Sequence, residues 1–218
     1  MTLDPYSDAD GYSIDDACAQ AGVSRETRNR LAAYVGLLDR WRVRHNLIGP
    51  EERGRLFRRH IYDSLQLLSF VSPGATRVLD LGSGAGFPGL VLACALADRP
   101  GFEMSLVESN VKKASFLRAA AREAKAPVRV LNQRITDVSR ETFDHVTARA
   151  LAPLPRLFDH VTDFLSQEAS AILLKGQDLD AELEAASKDW TYAAEAFPSR
   201  SDDAGNILIV TALERRRP

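Results

Sequence analysis

The 218-residue chain carries only two cysteines, and Cys18 and Cys94 stand too far apart to form a Cys-x-x-Cys pair. That scarcity argues for a reducing compartment and against structural zinc. Cys94 falls inside the apolar stretch from Leu90 to Leu96 and reads as core. Histidine is equally sparse: His45, His60, His145 and His160 show no i, i+4 ligand spacing, so no metal is expected. Long apolar runs are missing too. No stretch of about 18 uncharged apolar residues occurs, and the N-terminus lacks the basic, apolar, small-residue progression of an export signal. A soluble, cytoplasmic chain with no membrane partner is the expectation. No internal repeat or low-complexity tract interrupts it.

What is present centres on residues 78–89, Val-Leu-Asp-Leu-Gly-Ser-Gly-Ala-Gly-Phe-Pro-Gly. Val78, Leu79 and Leu81 form a β-type apolar run with Asp80 near its end. Gly82, Gly84 and Gly86 then let backbone amides approach a ligand that any Cβ would block. Pro88 suits the first turn of a following helix, where its missing N–H costs nothing. Read from the strand's end, the spacing is Gly-x-Gly-x-Gly, the short form similar to S-adenosylmethionine enzymes. The dinucleotide spacing Gly-x-Gly-x-x-Gly is met literally by Gly84, Gly86 and Gly89, but starts about three residues past the strand. A nucleoside ligand needs its ribose hydroxyls held, commonly by an acid ending the next strand roughly 20 residues on. Glu108 closes the run 102–107 and fills that place.

With 45% hydrophobic residues the chain can bury a full core. Residues 1–72 read as an N-terminal helical, arginine-rich extension, and 73–218 as the nucleotide-binding domain, with Ser72-Pro73-Gly74 between them. Ser24 is placed to cap a helix carrying Leu31, Tyr34, Val35, Leu38 and Trp41 at helical spacing. A second helix is predicted from about Glu51 to Phe70. Beyond Asn110 the patterns alternate: a helix to about Ala124, strands at 128–131 and 145–148, a helix from 155 to 165, a strand at 171–174, a helix at 179–187, and strands near 192–197 and 207–212. Such alternation predicts a doubly wound, mostly parallel α/β sheet of Rossmann-like type.

The net charge of −2 hides an asymmetry: Arg25 to Arg59 holds ten arginines and four acids, a surplus of six positive charges. All ten are arginine, whose planar fork suits phosphate oxygens and base edges. Two readings stand open. One is a nucleic-acid face including Arg42, Arg44, Arg55, Arg58 and Arg59; the other is a solvated helix surface with carboxylate partners elsewhere. The first 22 residues are acidic, and the sequence leaves open whether they shield that face.

Ligands in such sheets sit beyond the carboxyl ends of the strands. That selects Arg134, Ile135 and Thr136 after the third strand, Arg149 after the fourth, and Lys175 with Gly176 after the fifth. The fourth strand, Thr147-Ala148-Arg149-Ala150-Leu151, lacks the Asn/Asp-Pro-Pro-aromatic pattern of exocyclic-amine enzymes and the Pro-Cys of carbon-5 pyrimidine enzymes. With no general base and no thiolate there, an acceptor that already holds a free lone pair fits best, and guanine N7 is such an atom. Rate would then come from alignment and exclusion of water. A small-molecule methyltransferase and a nicotinamide-binding protein are the competing classes.

The chain resembles the ribosomal RNA small subunit methyltransferase G family, also called glucose-inhibited division protein B, over nearly its whole length. The resemblance rests on Asn46-Leu47-Ile48, the block 60–65 (His-Ile-Tyr-Asp-Ser-Leu), Asp80 to Gly89, Glu108-Ser109 with Lys112-Lys113 and Phe116-Leu117, Ala148-Arg149-Ala150, and Leu174-Lys175-Gly176. It implies a class I methyltransferase fold and transfer of a methyl group from S-adenosylmethionine to a guanine N7 of 16S ribosomal RNA near the decoding region. The implied cofactor contacts are Gly82, Phe87, Ile135-Thr136 and Arg149; the pair 135–136 departs from the Ala-Glu common in the family. His60, Asp63, Ser64 and Lys175 match a rim where RNA and cofactor would meet, with Arg149, Lys175, His60 and Asp63 as catalytic candidates. For His60 and Asp63 a helix-to-sheet packing role is the competing reading. Lys112 joins the RNA-contact candidates, the partner is 16S RNA or the small ribosomal subunit, and a monomer is expected.

Overall fold

The computed structural model describes residues 6–45 and 47–216. Asn46, part of the motif quoted above, lies outside them, as do the side chains of Arg44 and His45.

The N-terminal third is helical. In α1 (Ile14–Ala21) the Ser13 hydroxyl caps the Asp16 N–H while the Asp16 carboxylate reaches back to Ser13, and Gly22 closes the helix at φ +64°. Helix α2 (Arg25–His45) starts as predicted, with the Thr27 N–H donating to the Ser24 hydroxyl at 3.1 Å. Its stripe of Leu31, Tyr34, Val35 and Leu38 is fully buried.

The single helix expected over 51–70 is not what forms. A short α3 (Pro50–Arg53) is followed by a break at Gly54. A π-helical turn (Phe57–Tyr62) then runs through α4 (Asp63–Leu65) into a 3-10 turn (Gln66–Phe70). The restart is capped from far upstream, because the Asp8 carboxylate accepts from the Phe57 and Arg58 N–H groups at 2.8 and 2.9 Å. The apolar periodicity survives because wider and tighter turns succeed each other, keeping Leu56, Ile61 and Leu65 buried.

Among the described residues seven strands make one sheet, in the order β3-β2-β1-β4-β5-β7-β6. Strands β1 (Arg77–Leu81), β2 (Glu103–Val107), β3 (Val128–Leu131), β4 (Phe143–Arg149) and β5 (Leu165–Lys175) run parallel. Strands β6 (Trp190–Pro198) and β7 (Asn206–Arg215) form an antiparallel hairpin against β5. The doubly wound, mostly parallel expectation holds, and β4, β5 and β7 are longer than their apolar runs suggested.

Alternation along β1 sorts the core. Val78 and buried Asp80 face α5 (Gly89–Ala95), α6 (Val111–Glu123) and the N-terminal helices. Leu79 and Leu81 face α7 (Leu154–Val161) and α8 (Leu179–Ala186). The N-terminal helices thus share one continuous hydrophobic core with the sheet. Strand order reverses between β1 and β4, which opens a crevice at their carboxyl ends. No helix among the described residues is long and apolar enough to cross a membrane.

Candidate active site

The turn after β1 adopts backbone angles that suit glycine, with Gly82 at φ +68° and Gly84 at φ +55°. At Gly82 space is short as well, since a Cβ would come within 2.7 Å of Leu151 Cδ1. Beneath the turn, Asp80 is fully buried and accepts from the Thr147 hydroxyl at 2.8 Å, tying β1 to β4. Burial pushes its carboxyl up to about 6, although hydrogen bonds from Ser83, Thr147 and the Gly89 backbone pull the other way.

Glu108 leaves β2 directly beside the turn. Its carboxylate accepts from the Gly84 N–H at 2.9 Å and the Asn110 N–H at 2.7 Å. Asn110 in turn caps α6 through the Lys112 and Lys113 N–H groups. Gly82, Gly84, Glu108, Ile135, Thr136 and Leu151 line one cavity of about 490 Å³, joined by Arg134 and, from α7, Arg156 and His160. Gly86 and Phe87 lie elsewhere. A Cβ on Gly86 would meet Tyr34 Oη at 2.9 Å, and the Tyr34 hydroxyl donates to the Ala85 carbonyl at 2.6 Å. The Phe87 ring packs between Tyr34 and His60, with centroids 5.8 and 4.9 Å away. These two residues anchor the turn to the N-terminal helices.

A second cavity, about 540 Å³, opens on the other side of the loop after β4. Arg59, Asp63, Arg149, Lys175 and Asp202 line it, and Leu151 and Ala152 belong to both cavities. Asp63 is buried, accepting from Ser199 and Ser201 hydroxyls at 2.8 and 2.7 Å. Its other oxygen lies 3.5 Å from Arg149 Nη1, too far for a firm bond, and that nitrogen is buried with no hydrogen-bond partner. Burial draws the Arg149 guanidinium below its usual pKa, with Asp63 opposing. Lys175 Nζ pairs with Glu182 at 2.6 Å and donates to the Ala152 carbonyl at 3.2 Å.

His60 belongs to neither cavity lining. It is buried against Phe87, and its Nε2 comes within 2.5 Å of a Glu52 oxygen but without hydrogen-bond geometry. Burial, then the Arg149 and Arg59 charges, pull its pKa from 6.5 to about 3. Because the folded value lies below the unfolded one, the stabilising contribution is complete above about pH 6.5 and is lost as pH falls towards 3. His60→Phe should therefore flatten the loss of urea-unfolding stability between pH 6 and 4. An acid slope identical to the parent protein's would refute this assignment.

The arginine run is largely paired. Arg42 and Arg53 share Asp39, Arg28 meets Asp15, Arg30 meets Asp98 and Arg40 approaches Glu123. Arg58 lies 4.0 Å over the Tyr12 ring and 3.4 Å from Asp10, while Arg59 pairs with Asp202. Arg55 and Lys112 are exposed. Asp8, Asp10 and Asp15 show that the acidic N-terminal segment does pack on the basic helices. Arg55, Arg58, Arg59 and Arg200 border a further cavity with Asp8, Asp10, Asp202 and Asp203.

Sequence reasoning passed over Asp202, Ser199 and Ser201, Glu182, and the role of Leu151 and Ala152 as a shared wall. Glu182 and Arg156 carry no signal beyond charge on an amphipathic helix. Among the described residues no cluster of three or more His, Cys, Asp or Glu could hold a metal ion.

A glycine turn after the first strand, an acid at the end of the second and paired cavities at the switch point of a seven-stranded sheet define a class I methyltransferase fold. Solved structures of that kind agree on the fold. One is the O-methyltransferase from Bacillus cereus in complex with SAH, with TM-score 0.55, 17% identity, and coverage of 83% of this chain and 90% of that one. Another is the ribosomal protein L11 methylase from Lactobacillus delbrueckii subsp. bulgaricus, with TM-score 0.56, 13% identity, and coverage of 78% and 81%. The chain belongs to the rRNA small subunit methyltransferase G family, whose pattern it matches over residues 27–202. Relatives bearing the name ribosomal RNA small subunit methyltransferase G include one from Paramagnetospirillum magneticum, 43% identical over 203 residues, covering 93% of this chain and 97% of the relative. Another, from Methylorubrum extorquens, is 47% identical over 198 residues, covering 90% and 93%.

Proposed function

We propose that this protein transfers a methyl group from S-adenosylmethionine to N7 of a guanine in 16S ribosomal RNA near the decoding region, acting in the cytoplasm as a monomer. The observation that carries the reading is the pair of cavities meeting at Leu151 and Ala152, one built on the glycine turn and the other on Arg149 and Asp63. The first cavity fits a nucleoside: Gly82 and Gly84 bare their backbone to it, and Glu108 presents a carboxylate able to accept from vicinal hydroxyls. S-adenosylmethionine, when bound, supplies an electrophilic methyl group on a sulfonium.

In this reading the chain's own residues bind, align and exclude water. Ile135 and Thr136 close the nucleoside side of the donor cavity. Arg149 lines the acceptor cavity with Asp63 3.5 Å from its Nη1, and Ser199 and Ser201 hold that carboxylate in place. A single guanidinium N–H there suits guanine O6, the acceptor beside N7, and leaves the N7 lone pair free to attack. No side chain need remove a proton before attack, which agrees with an Asp63 carboxylate that already accepts from two hydroxyls. Gly86, Phe87 and His60 act from behind the turn by packing. Lys175 acts through its partners.

Arg55, Arg58, Arg59 and Lys112 provide RNA phosphate contacts, with Arg42 held on Asp39 at the margin. Replacing Arg58 and Arg59 together by glutamine should weaken RNA binding, reduce the slope of log K against log salt by about 1.5, and leave cofactor affinity unchanged. An unaltered salt slope would remove these two residues from the interface. The activity itself is tested by labelled-methyl transfer to small subunits lacking their native methylation, followed by nuclease digestion and mass spectrometry. A 7-methylguanosine product is expected; incorporation only into a small molecule would favour the metabolite-methylating alternative.

A further inference from the structure

The loop joining β4 to α7 is the wall between the two cavities, and its backbone does not hold itself. Ala150 sits at φ +48°, a left-handed conformation that costs a non-glycine residue roughly 1–2 kcal/mol. Such a residue persists where its surroundings over-determine it. The next residue, Leu151, packs into the space that a Cβ on Gly82 would need, so the loop's path and the glycine turn are coupled. Pro153, which precedes α7, supplies no side-chain cap to it.

The missing support comes from α8. One Glu182 oxygen, Oε2, accepts from the Leu154 N–H at 2.7 Å and from Lys175 Nζ at 2.6 Å, and the same Nζ donates to the Ala152 carbonyl at 3.2 Å. A carboxylate from another helix therefore caps the first N–H of α7, where the helix dipole favours negative charge. Through Lys175 it also grips the loop on the other side of Pro153. The Lys175 side chain is only 9% exposed and the Glu182 side chain 21%, so neither charge is dissolved in bulk water.

We propose that Glu182 is a positioning residue for methyl transfer, which through Lys175 fixes residues 150–153 as the rigid wall shared by the donor and acceptor cavities. Lys175 then belongs to a strut and is not a group that contacts the reacting atoms. This rests on the assignment of the two cavities made above.

The test compares Glu182→Ala, Glu182→Gln, Lys175→Met and the Glu182→Ala/Lys175→Met double variant. Each is read by kcat and KM on unmethylated small subunits, by the calorimetric Kd for S-adenosylhomocysteine without RNA, and by thermal melting. Because misplacement on the scale of 1 Å can cost about 100-fold, Glu182→Ala and Lys175→Met should each lower kcat by about 10- to 100-fold and weaken S-adenosylhomocysteine binding several-fold. The double variant should be no worse than either single one. Glu182→Gln keeps an oxygen for both donors and should recover most of the kcat.

A fall in melting temperature with kcat and Kd unchanged per folded molecule would overturn the proposal. So would a Lys175→Met loss far larger than that of Glu182→Ala and additive to it, since that pattern marks an ammonium acting directly. Should Glu182→Ala fail to fold, Lys175→Met against Glu182→Gln carries the same contrast. If the parent protein transfers no methyl to small subunits, the proposed activity fails, while the S-adenosylhomocysteine Kd series still decides whether the strut shapes the donor cavity.

Discussion

Arg149→Met lowers kcat for methyl transfer by about 100-fold, on the expectation that a buried hydrogen bond to a charged donor contributes about 1.5–3 kcal/mol. Arg149 Nη1 is buried at the end of β4 with no hydrogen-bond partner, and its nearest carboxylate oxygen, on Asp63, stands 3.5 Å away. A buried donor without a hydrogen bond is costly and calls for a functional reason, and Arg149 is one of the residues lining the acceptor cavity. Asp63 keeps its bonds from Ser199 and Ser201 when the arginine is removed, which limits the damage to folding. Arg149→Lys should recover little, because an ammonium cannot reproduce the planar fork. Retention of more than half of the parent kcat by Arg149→Met, measured on small subunits at saturating cofactor, would remove Arg149 from the chemistry.

Glu108→Ala has its effect on the other cavity. The Glu108 carboxylate is positioned by the Gly84 and Asn110 N–H groups, leaving lone pairs that face a cavity able to hold a ribose. Losing two charge-assisted hydrogen bonds predicts a weakening of calorimetric S-adenosylmethionine affinity by about 100-fold or more. Glu108→Gln, which keeps one acceptor oxygen, should fall between. An affinity unchanged in Glu108→Ala would mean that the acid serves only to brace the glycine turn.

The donor cavity was legible because its parts are local. A β-type run, three alternating glycines and an acid about 20 residues on are patterns that lie within one β-α-β unit, and the structure brings Gly82, Gly84 and Glu108 together as spaced. Gly86 and Phe87 share the motif but turn towards Tyr34 and His60, because the chain leaves the cavity there to enter α5 against the N-terminal helices. Periodicity has no means of announcing that choice.

The acceptor cavity was half legible. Arg149 and Lys175 stand out as polar residues ending parallel strands, and Asp63 through its motif. The groups that determine what they do are remote: Ser199 and Ser201 lie 136 and 138 residues from Asp63. Polar pairs at such separations leave no trace in one sequence. The same holds for the second helical segment, whose break is stabilised by Asp8 from nearly 50 residues upstream. A charge count over 25–59 likewise could not reveal that Asp10, Asp15, Asp98 and Asp202, from outside the segment, meet Arg58, Arg28, Arg30 and Arg59.

In the proposed reading a nucleoside donor occupies the glycine-turn cavity and faces the acceptor cavity across Leu151 and Ala152. A crystal structure with S-adenosylhomocysteine tests it most directly. The ribose hydroxyls are expected on Glu108, the adenosine between Gly82 and Ile135-Thr136, and the sulfur towards the Leu151–Ala152 wall. Density for the ligand in the Arg59–Asp63–Lys175 cavity, or on the arginine-rich helices, would contradict it.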